Sequence, residues 1–213
     1  MLWLGLKGES ILVVVAGPSA SGKTTFIDQI TRRKQSPLAD KALQSLGVAS
    51  GISFRTLGAN IARKSIKRGE ILSESYRYQI LHLDLTSRSR GKHLKFCPII
   101  FSQFMSIYSI QIYLPYSEWL NRIRLRIATG ESVSDRAQNL LDYTENDYRL
   151  GERLYRKLYT RWENYLDLRR VRSRVTIDTA SKTVFKKPPA EIRRNLIGRA
   201  VYSAICCRPS LIA

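Results

Sequence analysis

The chain has 213 residues, of which 44% are hydrophobic; this allows one compact domain with a buried core and excludes a wholly disordered chain. Lys and Arg number 36 against 17 Asp and Glu, so the formal net charge is +19. Such a surface attracts nucleotides, nucleic acid or anionic lipid and disfavours a cationic ligand. The 3 cysteines form no C-x-x-C pair and there are 2 histidines, so we expect no zinc site and a reducing, cytoplasmic setting.

The first half of the chain reads as strands alternating with helices. Residues 11–16, with the sequence ILVVVA, form a continuous β-branched run that predicts a strand buried on both faces. Helices are predicted over residues 23–33 and 57–68, the second within a stretch that several glycines interrupt. Residues 78–85 predict a second strand, and a polar, basic loop is expected over 86–95.

The second half continues this alternation. Residues 96–106 predict a helix with Pro98 in its first turn, and residues 107–114 predict a third strand. Three further elements are predicted: a helix from an N-cap at Ser117 to about residue 129, a long helix over 144–168, and a strand over 174–178.

An uncharged stretch covers residues 96–117 and is long enough to span a bilayer. It contains two prolines, two glutamines and four serines, which favour a buried helix followed by a buried strand. Strands that alternate with helices predict an α/β fold with a mostly parallel sheet.

Residues 17–24 read GPSASGKT and fit the pattern G-x-x-x-x-G-K-[ST], between a predicted strand and a predicted helix. In such a loop the glycines let backbone N–H groups converge on phosphate oxygens. Lys23 reaches the β- and γ-phosphates, and Thr24 offers a hydroxyl to Mg²⁺. A glycine turn that binds nothing is the alternative. The predicted nucleotide-binding residues are Gly17, Pro18, Ser19, Ala20, Ser21, Gly22, Lys23, Thr24 and Thr25.

The stretch GPSASGKTT resembles the phosphate loop of guanylate kinases and uridine kinases, which are P-loop NTPases of the nucleoside and nucleotide kinase branch. Residues 114–126 resemble the guanylate kinase stretch in which a strand ends in Pro, a helix begins and R-L-x-x-R follows. The resemblance covers about residues 10–180 and implies a three-layer P-loop NTPase fold with a parallel sheet of about five strands. We expect a kinase-like domain over 1–181, with a lid at about 128–143, and a basic C-terminal tail with a short helix over 182–213.

The resemblance also implies roles for three arginines. Arg122 and Arg126 are four residues apart and therefore lie on one helix face, and Arg136 follows within the expected lid. They are candidates to hold phosphates and to spread the charge of the transition state; a solvated basic face is the alternative. Guanylate kinases hold their acceptor with a serine-arginine-proline-arginine type segment and a tyrosine. No counterpart is found, so the resemblance does not imply GMP as the acceptor.

Magnesium needs a carboxylate near the loop, and Asp84 follows an apolar run at the end of the second predicted strand. Asp84 can bind Mg²⁺ through water or accept a proton from the acceptor. Asp28 and Asp178 are rivals for the metal, and a cap or an ion pair is the alternative role for Asp84. His82 shares a strand face with Asp84 and is predicted to be buried and hydrogen-bonded.

These residues together predict a kinase that uses ATP and Mg²⁺ and passes the γ-phosphoryl group to a small, anionic or nucleotide-like acceptor. Ligands bind beyond the carboxyl ends of strands in such sheets, so the basic loop over 87–92 is expected to face the site. The alternative is a P-loop NTPase module bound to nucleic acid or to an anionic membrane surface, without kinase activity. The predicted catalytic residues are Lys23, Asp84, Arg122, Arg126 and Arg136, with Thr24 and Asp84 at the metal.

Overall fold

The computed structural model describes residues 9–31, 36–49, 51–87 and 90–186. Within these ranges lie six strands and eight helices. The strands are β1 (Ile11–Gly17), β2 (Arg55–Gly58), β3 (Tyr78–Asp84), β4 (Ser106–Tyr113), β5 (Ser173–Asp178) and β6 (Thr183–Phe185). The helices are α1 (Lys23–Thr31), α2 (Pro37–Leu46), α3 (Ala59–Lys67), α4 (Leu72–Ser75), α5 (Arg90–Phe101), α6 (Tyr116–Ala128), α7 (Asp135–Asn146) and α8 (Tyr148–Asp167).

The six strands form one sheet in the order β2-β3-β1-β4-β5-β6. The first five are parallel, and β6 pairs antiparallel with β5. The chain leaves β1 toward β2 on one side and reaches β4 on the other, so the strand order reverses at β1. The carboxyl ends of the five parallel strands therefore meet at one edge of the sheet, with the end of β1 in the middle.

The two faces of the sheet are covered by different helices. The odd-numbered residues of β1 from 11 to 15 pack against buried side chains of α1 and α2. The even-numbered residues from 12 to 16 pack against α3, α5, α6, α7 and α8 on the opposite face. All of β1 is buried, as its β-branched run predicts. The predicted three-layer α/β fold with about five parallel strands is confirmed.

Two elements between residues 36 and 58, the helix α2 and the strand β2, are not predicted from the sequence. The side chain of Ser36 accepts a hydrogen bond from the Ala39 N–H at 3.3 Å, and Pro37 occupies the first position of α2. The Ser-Pro pair is therefore a helix start and not only the end of α1. β2 is a four-residue edge strand whose first half is exposed, so neither apolar periodicity nor length indicates it.

Two predicted helix starts are wrong. α5 begins at Arg90, so residues 90–95 are helical and Pro98 lies inside the helix instead of in its first turn. The first residues of α5 are mostly polar and basic, so composition alone suggests a loop there. α6 begins before Ser117, which is not its cap.

The helix predicted over 144–168 is two helices. α7 and α8 are divided at Asp147, whose carboxylate accepts a hydrogen bond from the Leu150 N–H at 3.1 Å and begins α8. The apolar period of 3.6 residues continues through a break of one residue, so periodicity alone does not reveal it. The division makes α7 a separate helix that packs its buried side against α8.

The uncharged stretch over residues 96–117 contains the end of α5 and the buried strand β4, as expected from its sequence. In the described part of the chain, no helix has the length and apolar character that crossing a membrane requires. The sheet continues into the segment assigned to the tail, because β6 pairs with β5. Residues 187–213, with the predicted tail helix, lie outside the described residues.

A buried ion pair joins α8 to β5. Glu163 is 4% exposed, and its carboxylate lies 3.1 Å from Nη1 of Arg174, which also pairs with Asp167 at 2.7 Å. Burial raises the pKa of Glu163, and the charge of Arg174 opposes that rise. Removing the arginine would therefore leave a carboxylate buried without its counterion.

We expect Arg174→Met to lower the free energy of unfolding by about 2–3 kcal/mol. Without Arg174 the folded-state pKa of Glu163 rises further above its unfolded value, so protonation favours the folded state and the deficit shrinks as the pH falls. Urea unfolding at several pH values measures both effects. The double variant Glu163→Gln/Arg174→Met is the control, since it removes the buried charge and should regain part of the loss. An equal loss at every pH would contradict this account.

Candidate nucleotide site

The loop predicted to bind phosphate connects β1 to α1. A Cβ on Gly17 would lie 2.8 Å from both the Ile112 carbonyl oxygen and Oγ of Ser21, so only glycine fits there. Gly22 has a φ of 96°, in the region that favours glycine, and Ala20 also has a positive φ of 62°. Glycine is therefore favoured at both positions of the motif: at Gly17 because a Cβ would come too close to neighbouring atoms, and at Gly22 because of its positive φ.

Lys23 is the first residue of α1 and is 5% exposed. Its Nζ donates a hydrogen bond to the Pro18 carbonyl oxygen at 2.5 Å, which folds the side chain back over the loop. Burial lowers the pKa of Lys23 to about 8; the charge of Asp84 opposes this shift and that of Arg126 adds to it. A phosphate group beside Nζ would favour the charged form, so the position of the amine suits an anion.

Three side chains from distant parts of the sequence hold the loop in place. The N–H of Ser19 donates to Oγ1 of Thr86 at 2.9 Å, and its carbonyl oxygen accepts from Nε1 of Trp119 at 2.9 Å. Oγ1 of Thr179 donates to the carbonyl oxygen of Ser21 at 3.1 Å. None of these anchors is predicted from the sequence. The sequence feature that the three anchoring residues share is that each lies shortly after the end of a predicted strand.

Asp84 lies beside the loop. It is the last residue of β3, and the parallel register pairs it with Gly17. Its Oδ1 accepts hydrogen bonds from the N–H and the hydroxyl of Thr86, at 2.8 and 2.6 Å. Thr86 therefore fixes the carboxylate and the loop together. The carboxylate also caps the turn after β3, which was the alternative role for this residue.

The rival carboxylates are placed differently. Asp28 lies on α1, one turn beyond Thr24. Oδ1 of Asp178 accepts from the N–H groups of Ala180 and Ser181, at 2.8 and 3.3 Å, and so closes the turn after β5. Of the three carboxylates, Asp84 is the one whose charge acts on the loop lysine.

Two of the three predicted arginines lie near the loop. Nη1 of Arg122 is 3.7 Å from the position that a Cβ on Gly22 would take. Arg126, which pairs with Glu131 at 3.5 Å, is close enough to affect the pKa of the loop lysine. Arg136 lines a separate cleft between α7 and α8, because α7 packs against α8. The expectation that it joins the other two arginines at the loop is therefore not met in this structure.

The hydroxyls predicted to face the nucleotide are accessible. Thr24 and Thr25 are both exposed in the first turn of α1. Thr25 also lines a cleft of about 640 Å³ on the β4–β5 side of β1. Other residues that line this cleft are Gly22, Gln29, Lys41, Arg122, Thr179 and Lys182.

A second cleft, of about 470 Å³, opens on the β2–β3 side of β1. It contains Asp84 and reaches the first turn of α3 and the N-cap of α7. Because β1 lies between the two clefts, the loop stands between them at the carboxyl edge of the sheet. The described lining of the second cleft is Gly58, Ala59, Asn60, Ile61, His82, Asp84, Ser87, His93, Ser134 and Asp135.

Both histidines of the chain lie in this second cleft. Nε2 of His82 and Nδ1 of His93 are buried without a hydrogen-bond partner among the described residues, so the prediction of a hydrogen-bonded His82 fails at Nε2. The other ring nitrogen of His93 lies 2.9 Å from Oδ1 of Asn60. Burial lowers the pKa of both, and the charges of Lys23 at His82 and of Arg63 at His93 add to this. Both rings are therefore neutral at pH 7, with one donor and one acceptor each.

We expect Trp119→Phe to weaken nucleotide binding about fivefold, because the loop carbonyl of Ser19 loses a hydrogen bond of about 1 kcal/mol. Calorimetric titration with ATP measures the change. Trp162→Phe is the matched control: Trp162 is also fully buried, but its Nε1 has no partner among the described residues. Equal losses of affinity in the two variants would show that the Trp119 hydrogen bond does not hold the loop.

Comparisons with known proteins leave the family open. No protein-family model matches the sequence, and no curated protein matches it. Among solved structures, a sugar kinase from Janibacter sp. HTCC2649 in an unliganded form is 15% identical and gives a TM-score of 0.39, with 93% of this chain and 99% of that chain covered. A protein called APE1195 is 16% identical, with a TM-score of 0.36 over 92% of this chain and 95% of that chain.

Proposed function

We propose that this protein is an ATP-dependent phosphotransferase that passes the γ-phosphoryl group of ATP to a hydroxyl group of a small acceptor. The observation that carries the proposal is the pairing of a phosphate-type loop with a carboxylate. Gly17 and Asp84 are register partners at the edge where the strand order reverses. The buried amine of Lys23 donates to the Pro18 carbonyl, and the charge of Asp84 acts on it. The N-terminus of α1, a buried amine and an oriented carboxylate suit phosphoryl transfer.

The triphosphate lies along the loop and the first turn of α1 in this proposal. The N–H groups of Gly22, Lys23 and Thr24 donate to phosphate oxygens, because the N–H groups of Ser19 and Ser21 already donate to Thr86 and Pro18. Lys23 leaves the Pro18 carbonyl and contacts the β- and γ-phosphates, while Arg122 and Arg126 stabilise the charge that develops in the transition state. The base occupies the cleft of about 640 Å³ next to Gly22.

The residues present also fit a magnesium ion, whose ligands in proteins are oxygen atoms. The exposed hydroxyl of Thr24 would hold it together with phosphate oxygens, and the carboxylate of Asp84 would hold it through water. When bound, such an ion neutralises charge on the β- and γ-phosphates. Thr86 keeps the carboxylate turned for either of its two proposed roles.

The acceptor occupies the second cleft, of about 470 Å³. Its described lining offers two carboxylates, Asp84 and Asp135, and the two neutral histidines. These groups favour an acceptor recognised through hydroxyl groups over the anionic one expected from the sequence. The acceptor oxygen bonds to the γ-phosphorus while the bond from that phosphorus to the bridging oxygen breaks. Asp84 takes the proton that the acceptor hydroxyl releases.

Phosphorus NMR of the full-length protein with ATP, Mg²⁺ and a panel of acceptors tests this function. The panel pairs uncharged sugars, polyols and nucleosides with their carboxylated or phosphorylated forms. We expect a new phosphate-ester signal with at least one hydroxyl compound and a preference for the uncharged member of that pair. ATP binding without transfer to any member would reject the phosphotransferase and leave a nucleotide-binding module.

A further inference from the structure

The outer face of α8 carries a row of four exposed basic residues. Arg149, Arg153, Lys157 and Arg161 follow one another at intervals of four residues, and each is exposed. Because a helix rises 1.5 Å per residue, neighbours in this row are about 6 Å apart along the axis and the whole row spans about 18 Å. We call these four residues the α8 row.

The three carboxylates of α8 form ion pairs with arginines that do not belong to the α8 row. Glu152 contacts Arg156 at 2.6 Å, while Glu163 and Asp167 both contact Arg174. Other basic residues that contribute to the sequence excess also have partners: Arg172 pairs with Glu9 at 3.1 Å, and the guanidinium of Arg169 lies 4.8 Å from the ring centre of Tyr165. Among the described residues the α8 row forms no ion pair, so the row presents its positive charge to solvent.

A cleft of about 220 Å³ adjoins the α8 row. Lys157 and Arg161 form one side of it, and α7 contributes the other, including Tyr143, which is 51% exposed. Leucines 140, 154 and 158 give the cleft an apolar floor. Cations next to an exposed aromatic ring over an apolar floor form a combination suited to phosphates and a planar base.

We propose that the α8 row and this cleft bind single-stranded nucleic acid, with successive phosphates along the row and one base in the cleft against Tyr143. The spacing of the cations is similar to the spacing of phosphates along an extended strand. A membrane surface fits less well, because binding there needs large apolar side chains that enter the lipid. On α7 and α8, the exposed large apolar side chains among the described residues are two tyrosines, Tyr143 and Tyr148.

This surface is separate from the proposed phosphotransferase site. The residues of the α8 row line neither of the clefts beside the loop. Binding of nucleic acid should therefore persist in Lys23→Ala, so failure of one proposal leaves the other standing. The strongly positive chain would then use part of its charge to hold a polyanion.

Fluorescence anisotropy of labelled single-stranded DNA and RNA with the full-length protein tests the proposal. Each phosphate contact on a single strand contributes about −0.7 to the slope of log K, the binding constant, against the logarithm of the salt concentration. Four contacts therefore predict a slope of about −3. Lys157→Glu/Arg161→Glu should weaken binding about tenfold or more and reduce that slope by roughly half. The control Lys64→Glu/Lys67→Glu changes two exposed residues of α3 and the net charge by the same amount, and should bind within about threefold of the unchanged chain.

The cleft is tested with a second pair of variants. Tyr143→Ala should weaken binding by at least about fivefold, whereas Tyr143→Phe keeps the stacking ring and should bind like the unchanged chain. Equal losses in the row variant and its control, or no binding near physiological salt, would overturn the proposal. Binding of phosphatidylserine vesicles without binding of oligonucleotides would overturn it as well and would assign the row to a membrane.

Discussion

Lys23→Ala is expected to lower the rate of phosphoryl transfer about a thousandfold or more, because it removes the buried amine that is proposed to contact the γ-phosphate in the transition state. ATP affinity should fall with it. Lys23→Arg keeps the charge and is the control for charge alone. A planar guanidinium is larger than the ammonium whose Nζ lies 2.5 Å from the Pro18 carbonyl, so it should not restore the rate. Initial rates with the acceptor identified by NMR measure both. Transfer by Lys23→Ala at the unchanged rate would remove the loop from the mechanism.

The buried charge of Lys23 is expected to lower the free energy of unfolding of the unliganded protein. The pKa of Lys23 is lowered to about 8 from its ordinary value of 10.5, so holding the charge at pH 7 costs about 3 kcal/mol. Lys23→Met fills the same space without a charge and should unfold at a higher temperature. Because the folded-state pKa lies below the unfolded one, the unchanged chain gains stability as the pH rises from about 8 to 10.5, and the advantage of Lys23→Met shrinks there. An advantage that is constant across this range would contradict the assigned cause.

Asp84→Asn is expected to lower the turnover rate about 10²–10⁴-fold, because an amide can neither take the acceptor proton nor supply negative charge to a metal. ATP affinity should change by about tenfold or less, since the loop amides and Lys23 remain. The amide oxygen can still accept both hydrogen bonds from Thr86, so the turn after β3 should persist. Single-turnover rates and calorimetric titration separate the two quantities.

Asp178→Asn is the matched control for Asp84→Asn. Asp178 also ends a parallel strand at the same edge and also caps the turn that follows it, through the N–H groups of Ala180 and Ser181. We expect its turnover rate to stay within about threefold of that of the unchanged chain. A large loss in Asp178→Asn together with a small one in Asp84→Asn would transfer the role to the rival carboxylate.

The parts of the site that lie within one short stretch could be predicted from the sequence. Residues 17–25 are contiguous, and their spacing reflects a local backbone conformation that Gly17 and Gly22 permit. Asp84 could be predicted because a carboxylate after an apolar strand falls at the sheet edge. Strand β1 could be predicted because burial on both faces demands an unbroken apolar run.

The loop anchors could not be predicted in this way. Trp119 is 100 positions from Ser19, Thr86 is 67 positions from it, and Thr179 is 158 positions from Ser21. Tertiary packing alone brings such pairs together. The position of Arg136 could not be predicted for the same reason. It depends on the interruption of the helix at Asp147, which allows α7 to pack against α8.

The most direct test of the central claim, that residues 17–25 bind the phosphates of a nucleotide, is a titration of the ¹⁵N-labelled protein with ATP and Mg²⁺ followed by amide chemical shifts. We predict that the largest shifts occur at the N–H groups of Gly22, Lys23 and Thr24, and that Lys23→Ala reduces them at equal ATP concentration. Shifts that are absent from residues 17–25 while ATP binds elsewhere on the chain would contradict the account.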